Sequence, residues 1–175
     1  PYSMGLVDND AASQKPLLEG ELEKFLKSPP PSFCGQAKRG SRVFRWTVKR
    51  GGDAVTKAVN SRAQIGDIHR IEVLKRGHSG RALAVKYHGQ NGTHIVRGSY
   101  NNRKLLGGLR SGMWLVKKVG GLESKAPLQW VFTGGGFGHG VGMCQHGAMG
   151  MATSGHDVSD ILKHYYPGSE LRKAW

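Results

Sequence analysis

Long apolar runs, cysteines and acidic residues are all scarce in this chain of 175 residues. No stretch reaches the roughly 18 apolar residues that a bilayer-crossing helix requires, so no transmembrane segment is expected. Two cysteines, Cys34 and Cys144, are too few for the disulfide framework of a small secreted domain and leave the redox compartment open. Acids number 12 against 26 lysines and arginines, for a net charge of +14. The shortage is uneven: residues 1–34 hold three lysines against five acids, so residues 35–175 carry +16. Such a field favours a polyanionic partner, whether nucleic acid, anionic lipid or an acidic wall polymer; its plain alternative is a solubilising surface. No internal repeat is visible. What remains is 38% apolar and 8% aromatic, enough for one globular core. The opening PYSMGLVDND has neither an initiator methionine nor a charged-then-apolar leader, and reads as the interior of a longer chain.

PLLEGELEKFLK at 16–27 sets Leu18, Leu22, Phe25 and Leu26 on one helical face, and SPPP at 28–31 stops it. SRVFRWTVK at 41–49 has the β-branched and aromatic content of a strand. GGDAVTKAVNSRAQIGD then predicts a helix capped by Asp53, with Gly66 just past its end. HRIEVLKR, the turn GHSG and RALAVKYHG predict a β-hairpin with Leu83, Val85 and Tyr87 on one face. A strand THIVRG, a short helix over 103–109 and the strands MWLVKK and LQWVFTG follow. Near the end, HDVSDILKHYYPG sets Val158, Ile161, Leu162 and Tyr165 at helical spacing, with Asp157 as cap and Pro167-Gly168 as stop. The expected class is α+β, rich in antiparallel strands, with C-terminal helices packed on a sheet.

GGGFGHGVGMCQHGAMGMA, residues 134–152, is the one biased stretch. Glycine costs roughly 1 kcal/mol inside a helix or strand, so a run this dense implies backbone that a Cβ would obstruct. Positive φ or close approach by a ligand or neighbouring strand is expected at Gly138, Gly140 and Gly142. No lysine follows in the P-loop pattern and no acid falls about 20 positions on, which argues against a nucleotide site. His139 and His146 can position hydroxyls or pass a proton when backbone this bare presents them; equally, either can be a structural histidine bonded to loop carbonyls. His139, Cys144 and His146 lack a fourth ligand at any standard zinc spacing, and no metal or other cofactor is assigned. Cys144 reads as inert packing, and Met143, Met149 and Met151 as helix core.

The stretch GFGHGVGMCQHGAMGMATSGHDVSDILKHYYPGSEL strongly resembles the C-terminal signature of the SpoIID/LytB family, a GHGVGMSQYGA core followed by a helix and HYYPGT. It departs from that pattern at Cys144 for serine, His146 for tyrosine and Ser169 for threonine. Upstream, IEVLKRGHSGRALAVKYHG resembles the family's strand-turn-strand with its SGR turn, and LLGGLRSGMWLV its short helix and strand. PYSMGLVDN resembles a segment that follows the family's catalytic region, with Met4 where lysine is frequent. The resemblance covers most of 1–10 and 41–171 and leaves 11–40 as an insert made of an amphipathic helix and a proline-rich linker. It implies one SpoIID/LytB-like domain over 1–175, without the family's N-terminal catalytic segment.

The resemblance further implies a cell-envelope protein, periplasmic or extracellular, anchored if at all through an N-terminal region outside these residues. Its partners would be peptidoglycan glycan strands, anionic wall polymers or a wall amidase, not a specific nucleic acid. Family members are lytic transglycosylases or enhancers of an N-acetylmuramoyl-L-alanine amidase. The cleavage needs a carboxylic acid that protonates the glycosidic oxygen and then acts as base. In the family that glutamate lies in a YLKGVVAGEMP-like motif, and no such stretch occurs in these 175 residues. His139 and Gln145 are accordingly expected to assist an acid lying upstream, and Tyr2, Gly138, Gly140, Gly142 and His146 to bind substrate. If so, His139, Gln145 and His146 converge on one concave site that Tyr2 faces. A nucleic-acid module, motivated by charge alone, lacks any reader motif.

Overall fold

The computed structural model describes residues 17, 19–36, 41–121 and 125–172. Over them the chain forms α1 (Glu19–Lys27), α2 (Phe33–Gln36), α3 (Ser41–Phe44), β1 (Arg45–Gly51), α4 (Gly52–Asn60), β2 (Ile68–Arg76) and β3 (Ala82–Gly89). β4 (Gly92–Arg97), α5 (Ser99–Leu105), β5 (Trp114–Val119), β6 (Gln129–Gly135), α6 (Gln145–Thr153) and α7 (Val158–Tyr165) follow. The strands pair antiparallel in two three-stranded sheets, ordered β1-β6-β5 and β2-β3-β4. The fold is α+β, as the sequence pattern predicts.

Alternation along the strands explains why both sheets share one core. In the first sheet Trp46, Gly134 and Trp114 form one cross-strand row, and Val48, Phe132 and Val116 the next row on the same face. Trp46, Trp114, Trp130 and Phe132 are buried with Ile71, Val85 and Tyr87 of the second sheet and Val55 and Val59 of α4. Each such side chain contributes roughly 1.5–3 kcal/mol of burial. Trp114 meets Phe132 edge to face at 5.5 Å. Tyr87 donates from its hydroxyl to Asn102 Oδ1 at 3.0 Å, and the Asn102 amide donates to the carbonyls of Val96 and Gly98, so the buried amide is satisfied.

Several sequence expectations need correction. Ser41–Phe44 is a helical turn, because pairing begins only where Arg45 meets Gly135. α4 starts from Gly51 without a side-chain cap, leaving Asp53 in its first turn. It ends at Asn60, whose side chain accepts from Ile65 N–H and donates to Gly66 O. Gly66 therefore closes the following loop instead of the helix. In the hairpin, register shifts between Val73 and Arg76 bury Ala82 in place of Leu83. α5 lies at Ser99–Leu105, earlier than 103–109, and the positive-φ glycines Gly107 and Gly108 follow it. Only Met151 of the three methionines is core, while Met143 and Met149 are 40% and 53% exposed. Val158 is exposed on α7. Leu18 lies outside the described residues.

The segment expected as an insert is firmly docked where it is described. Leu22 and Leu26 of α1 pack with Met113. Arg45 then ties the C-terminal end of α1 to the sheet: Nε donates to Leu26 O at 3.2 Å and Nη2 to Phe25 O at 2.9 Å. Its guanidinium also lies over the Phe25 and Phe44 rings, 4.6 and 4.1 Å from their centroids. A cation at a helix C-terminus satisfies carbonyls that have no intrahelical donor. Burial pushes the Arg45 pKa down to about 10. Beyond the prolines, α2 packs on α6 so closely that a Cβ on Gly150 would overlap the Phe33 carbonyl. The Phe33 ring meets His156 and His164 edge-on. The linker region thus carries the C-terminal helices.

Candidate functional site

The glycine-rich run passes through three structural states in nineteen residues. Gly134, the last residue of the expected strand LQWVFTG, and Gly135 end β6 as strand residues. A Cβ on Gly134 would strike the Trp46 ring and the Met113 carbonyl, so glycine here admits a tryptophan over the central strand. Gly136, Gly138 and Gly140 have φ of +74, +97 and +73, and the chain between them is an irregular loop. The run ends as α6, whose cap is Cys144: Gly147 N–H donates to its Sγ at 3.4 Å. A thiol here takes the capping role that a hydroxyl usually fills.

The loop is held from three sides. Ser111 pairs with Gly138 in an isolated bridge, Gly138 N–H donates to Arg110 O at 2.9 Å, and Ser111 Oγ donates to Gly135 O at 2.6 Å. Arg81, from the SGR turn, lays its guanidinium where a side chain on Gly140 would project. Burial, then the neighbouring Arg103, lowers the Arg81 pKa, and the Cys144 thiol opposes them. Arg81 Nε is buried without a hydrogen-bond partner among the described residues. From the residue just past α7, the Tyr166 hydroxyl accepts from Met143 N–H at 3.3 Å. Gly142 has neither positive φ nor an obstructed Cβ direction, since Tyr166 Oη would be 3.6 Å from the added carbon. The expectation of Cβ exclusion fails at that position.

On this scaffold His139 is exposed, and Val141 N–H donates to its Nδ1 at 3.0 Å. A ring whose Nδ1 accepts carries its proton, when neutral, on Nε2. That bond fixes the ring relative to the loop and leaves Nε2 as its second hydrogen-bonding atom. Phe137 and Val141, two residues to either side, are 69% and 64% exposed. Gln145 and His146 open helix α6, the first exposed and the second half-buried. No hydrogen bond among the described residues joins them to His139. A cavity of about 120 Å³ borders the run, lined by Gly135, Gly136 and Cys144 together with Arg45, Ser32 and Cys34 of the neighbouring elements. His139, Gln145 and His146 do not line it. Tyr2 lies outside the described residues. Among those described, no three His, Cys, Asp or Glu side chains are grouped to hold a metal ion, and no helix is long and apolar enough to cross a membrane. Arg81 and Tyr166 were not picked out by residue chemistry, although both sit in stretches, SGR and HYYPG, that carry the family likeness.

A family described as Domain of unknown function (DUF8618) matches residues 4–142, and the chain belongs to it. The SpoIID/LytB likeness holds in curated relatives. The chain is 40% identical over 90 residues to Stage II sporulation protein D of Bacillus amyloliquefaciens, covering 47% of this chain and 24% of that protein. It is 36% identical over 102 residues to Stage II sporulation protein D of Bacillus subtilis (strain 168), covering 54% and 28%. To the Amidase enhancer of the same strain it is 36% identical over 98 residues, covering 51% and 13%. The chain thus spans about a quarter of the length of the two sporulation proteins.

Proposed function

We propose that this chain is the glycan-binding part of a peptidoglycan-acting cell-envelope protein, most directly of a lytic transglycosylase. The glycine-rich loop forms one wall of a cleft, and the carboxylic acid comes from polypeptide outside these 175 residues. The observation that carries this reading is His139, exposed on bare backbone, its ring oriented by Val141 N–H and its loop braced by Arg81 and Tyr166. At Gly136 and Gly138, where nothing lies within 4 Å of an added Cβ, a sugar can approach the main chain, Nε2–H can donate to a hydroxyl, and the exposed Phe137 ring offers an apolar face for the C–H side of a pyranose. The +16 of residues 35–175 suits an anionic wall. Gln145, His146, Gly138, Gly140, Gly142 and Tyr2 complete the proposed binding set. The stretch 134–152 contains no Asp or Glu, so the loop itself supplies no acid.

The test is incubation of the 175-residue chain with purified glycan strands. Retention on the strands without release of anhydro-sugar ends is expected. Failure to bind overturns the reading, and release of anhydro products overturns the assignment of the acid to another segment. A second reading, a non-catalytic enhancer of a wall amidase, draws on the relative that bears that name. It predicts that adding this chain accelerates a wall amidase on intact peptidoglycan, with no glycan cleavage at any stage.

A further inference from the structure

Two cysteines 110 positions apart in sequence border one cavity of about 120 Å³. Cys34 lies in α2 and Cys144 caps α6, and these two elements pack directly, the Phe33 carbonyl seated on Gly150. Neither is in a disulfide. Their settings differ in a way that divides the labour of thiol chemistry. Cys144 is half-buried, its Sγ accepts from Gly147 N–H at 3.4 Å at the start of a nine-residue helix, and the Arg81 guanidinium is close enough for the two charges to interact. Helix N-termini and neighbouring guanidinium groups both stabilise a thiolate, which is the reactive form. Cys34 is buried, and Arg45, which lines the same cavity, lies within reach of its charge.

We propose that Cys144 is a site of thiol–disulfide exchange with low-molecular-weight disulfides and that Cys34 is its resolving thiol. The Cys144 thiolate attacks one sulfur of the external disulfide, whose S–S bond breaks and releases one half as a thiolate that takes up a proton. Cys34, losing its proton, then attacks Cys144 Sγ and expels the other half. Two protein thiols are oxidised to one disulfide and the external disulfide is reduced to two thiols. Ring closure needs the Cα atoms within about 7 Å, and the two cysteines face each other's elements across a shared cavity wall. The product ties α2 to the start of α6 and so fixes the linker region against the glycine-rich loop.

The experiment treats the folded chain with oxidised glutathione and follows intact mass and a peptide map. Wild type is expected to end with peptides of Cys34 and Cys144 joined within one chain. Cys34→Ser should stop at a glutathione adduct on Cys144, and Cys144→Ser should remain unmodified while folded. Iodoacetamide should reach Cys144 on the order of ten times faster than Cys34. A wild-type chain that carries adducts but no internal link, that links only in denaturant, or whose Cys34 is modified equally fast without Cys144, overturns the proposal. The wild-type arm decides the matter even if a variant folds poorly.

Discussion

Replacing Gly150 by alanine sets two effects of opposite sign against each other. Gly150 lies within α6, and alanine in place of glycine in a helix ordinarily stabilises by about 1 kcal/mol. A Cβ at this position would stand 2.8 Å from the Phe33 carbonyl carbon and nearer still to its oxygen. Those are backbone atoms of α2, which cannot rotate aside as the tip of a side chain can. Overpacking costs about 1–3 kcal/mol, and a backbone obstacle belongs at the upper end of that range. The net expectation is a loss of about 1–2 kcal/mol, or a fall in Tm of about 2–8 °C for a chain of this size. Gly20 in α1 is the control, since nothing lies within 4 Å of the Cβ it would gain. Gly20→Ala should be neutral or stabilising by up to about 1 kcal/mol. Thermal unfolding of both variants by circular dichroism reads the difference. If Gly150→Ala melts at or above wild type, α2 is not seated on α6 and the account of the linker region fails.

Arg45→Met should loosen α1 by removing the donors to Phe25 and Leu26 carbonyls, at a cost of about 2–4 kcal/mol, with faster proteolysis near Ser28–Pro31 as the readout. Tyr166→Phe removes the acceptor for Met143 N–H and should cost about 0.5–1.5 kcal/mol, together with faster amide exchange at Met143. The bond from His88 holds the Glu72 carboxyl below its ordinary value of 4.5, so its stabilising effect is present above that value and is lost as pH falls through the lower folded one. Glu72→Gln should therefore flatten the acid limb of the stability–pH profile, and an unchanged limb would refute the pairing.

Legibility in the sequence followed the strength of local periodicity. The hairpin strands and the strand MWLVKK announce themselves through one inward face, and α7 through its Asp157 cap and the spacing of Ile161, Leu162 and Tyr165, which are half-buried. Ser41–Phe44 misled because its β-branched and aromatic residues are indifferent to state until a partner strand begins at Arg45. Leu83 misled because it is itself the unpaired extra residue, lying between the pairs Lys75–Ala84 and Arg76–Ala82, and nothing in RALAVKYHG records that bulge. Glycine density correctly marked unusual backbone at 138 and 140, yet it conflated three causes: a tryptophan over a strand, positive φ in a loop, and helix-on-helix approach at Gly150. In the site, His139 was visible as a lone polar group among glycines. Arg81 and Tyr166 were not, because their roles depend on a turn and a helix that meet the loop only in three dimensions.

The most direct test of the central claim, that the glycine-rich loop is a glycan-binding wall, is the affinity of purified glycan strands for the wild-type chain and for His139→Ala, measured at two salt concentrations. The account predicts binding by wild type, a loss of about tenfold or more in the variant with an unchanged Tm, and a loss that persists at high salt, where non-specific attraction to the basic surface is screened. Equal affinity of the two proteins, or binding that vanishes with salt irrespective of His139, would contradict it.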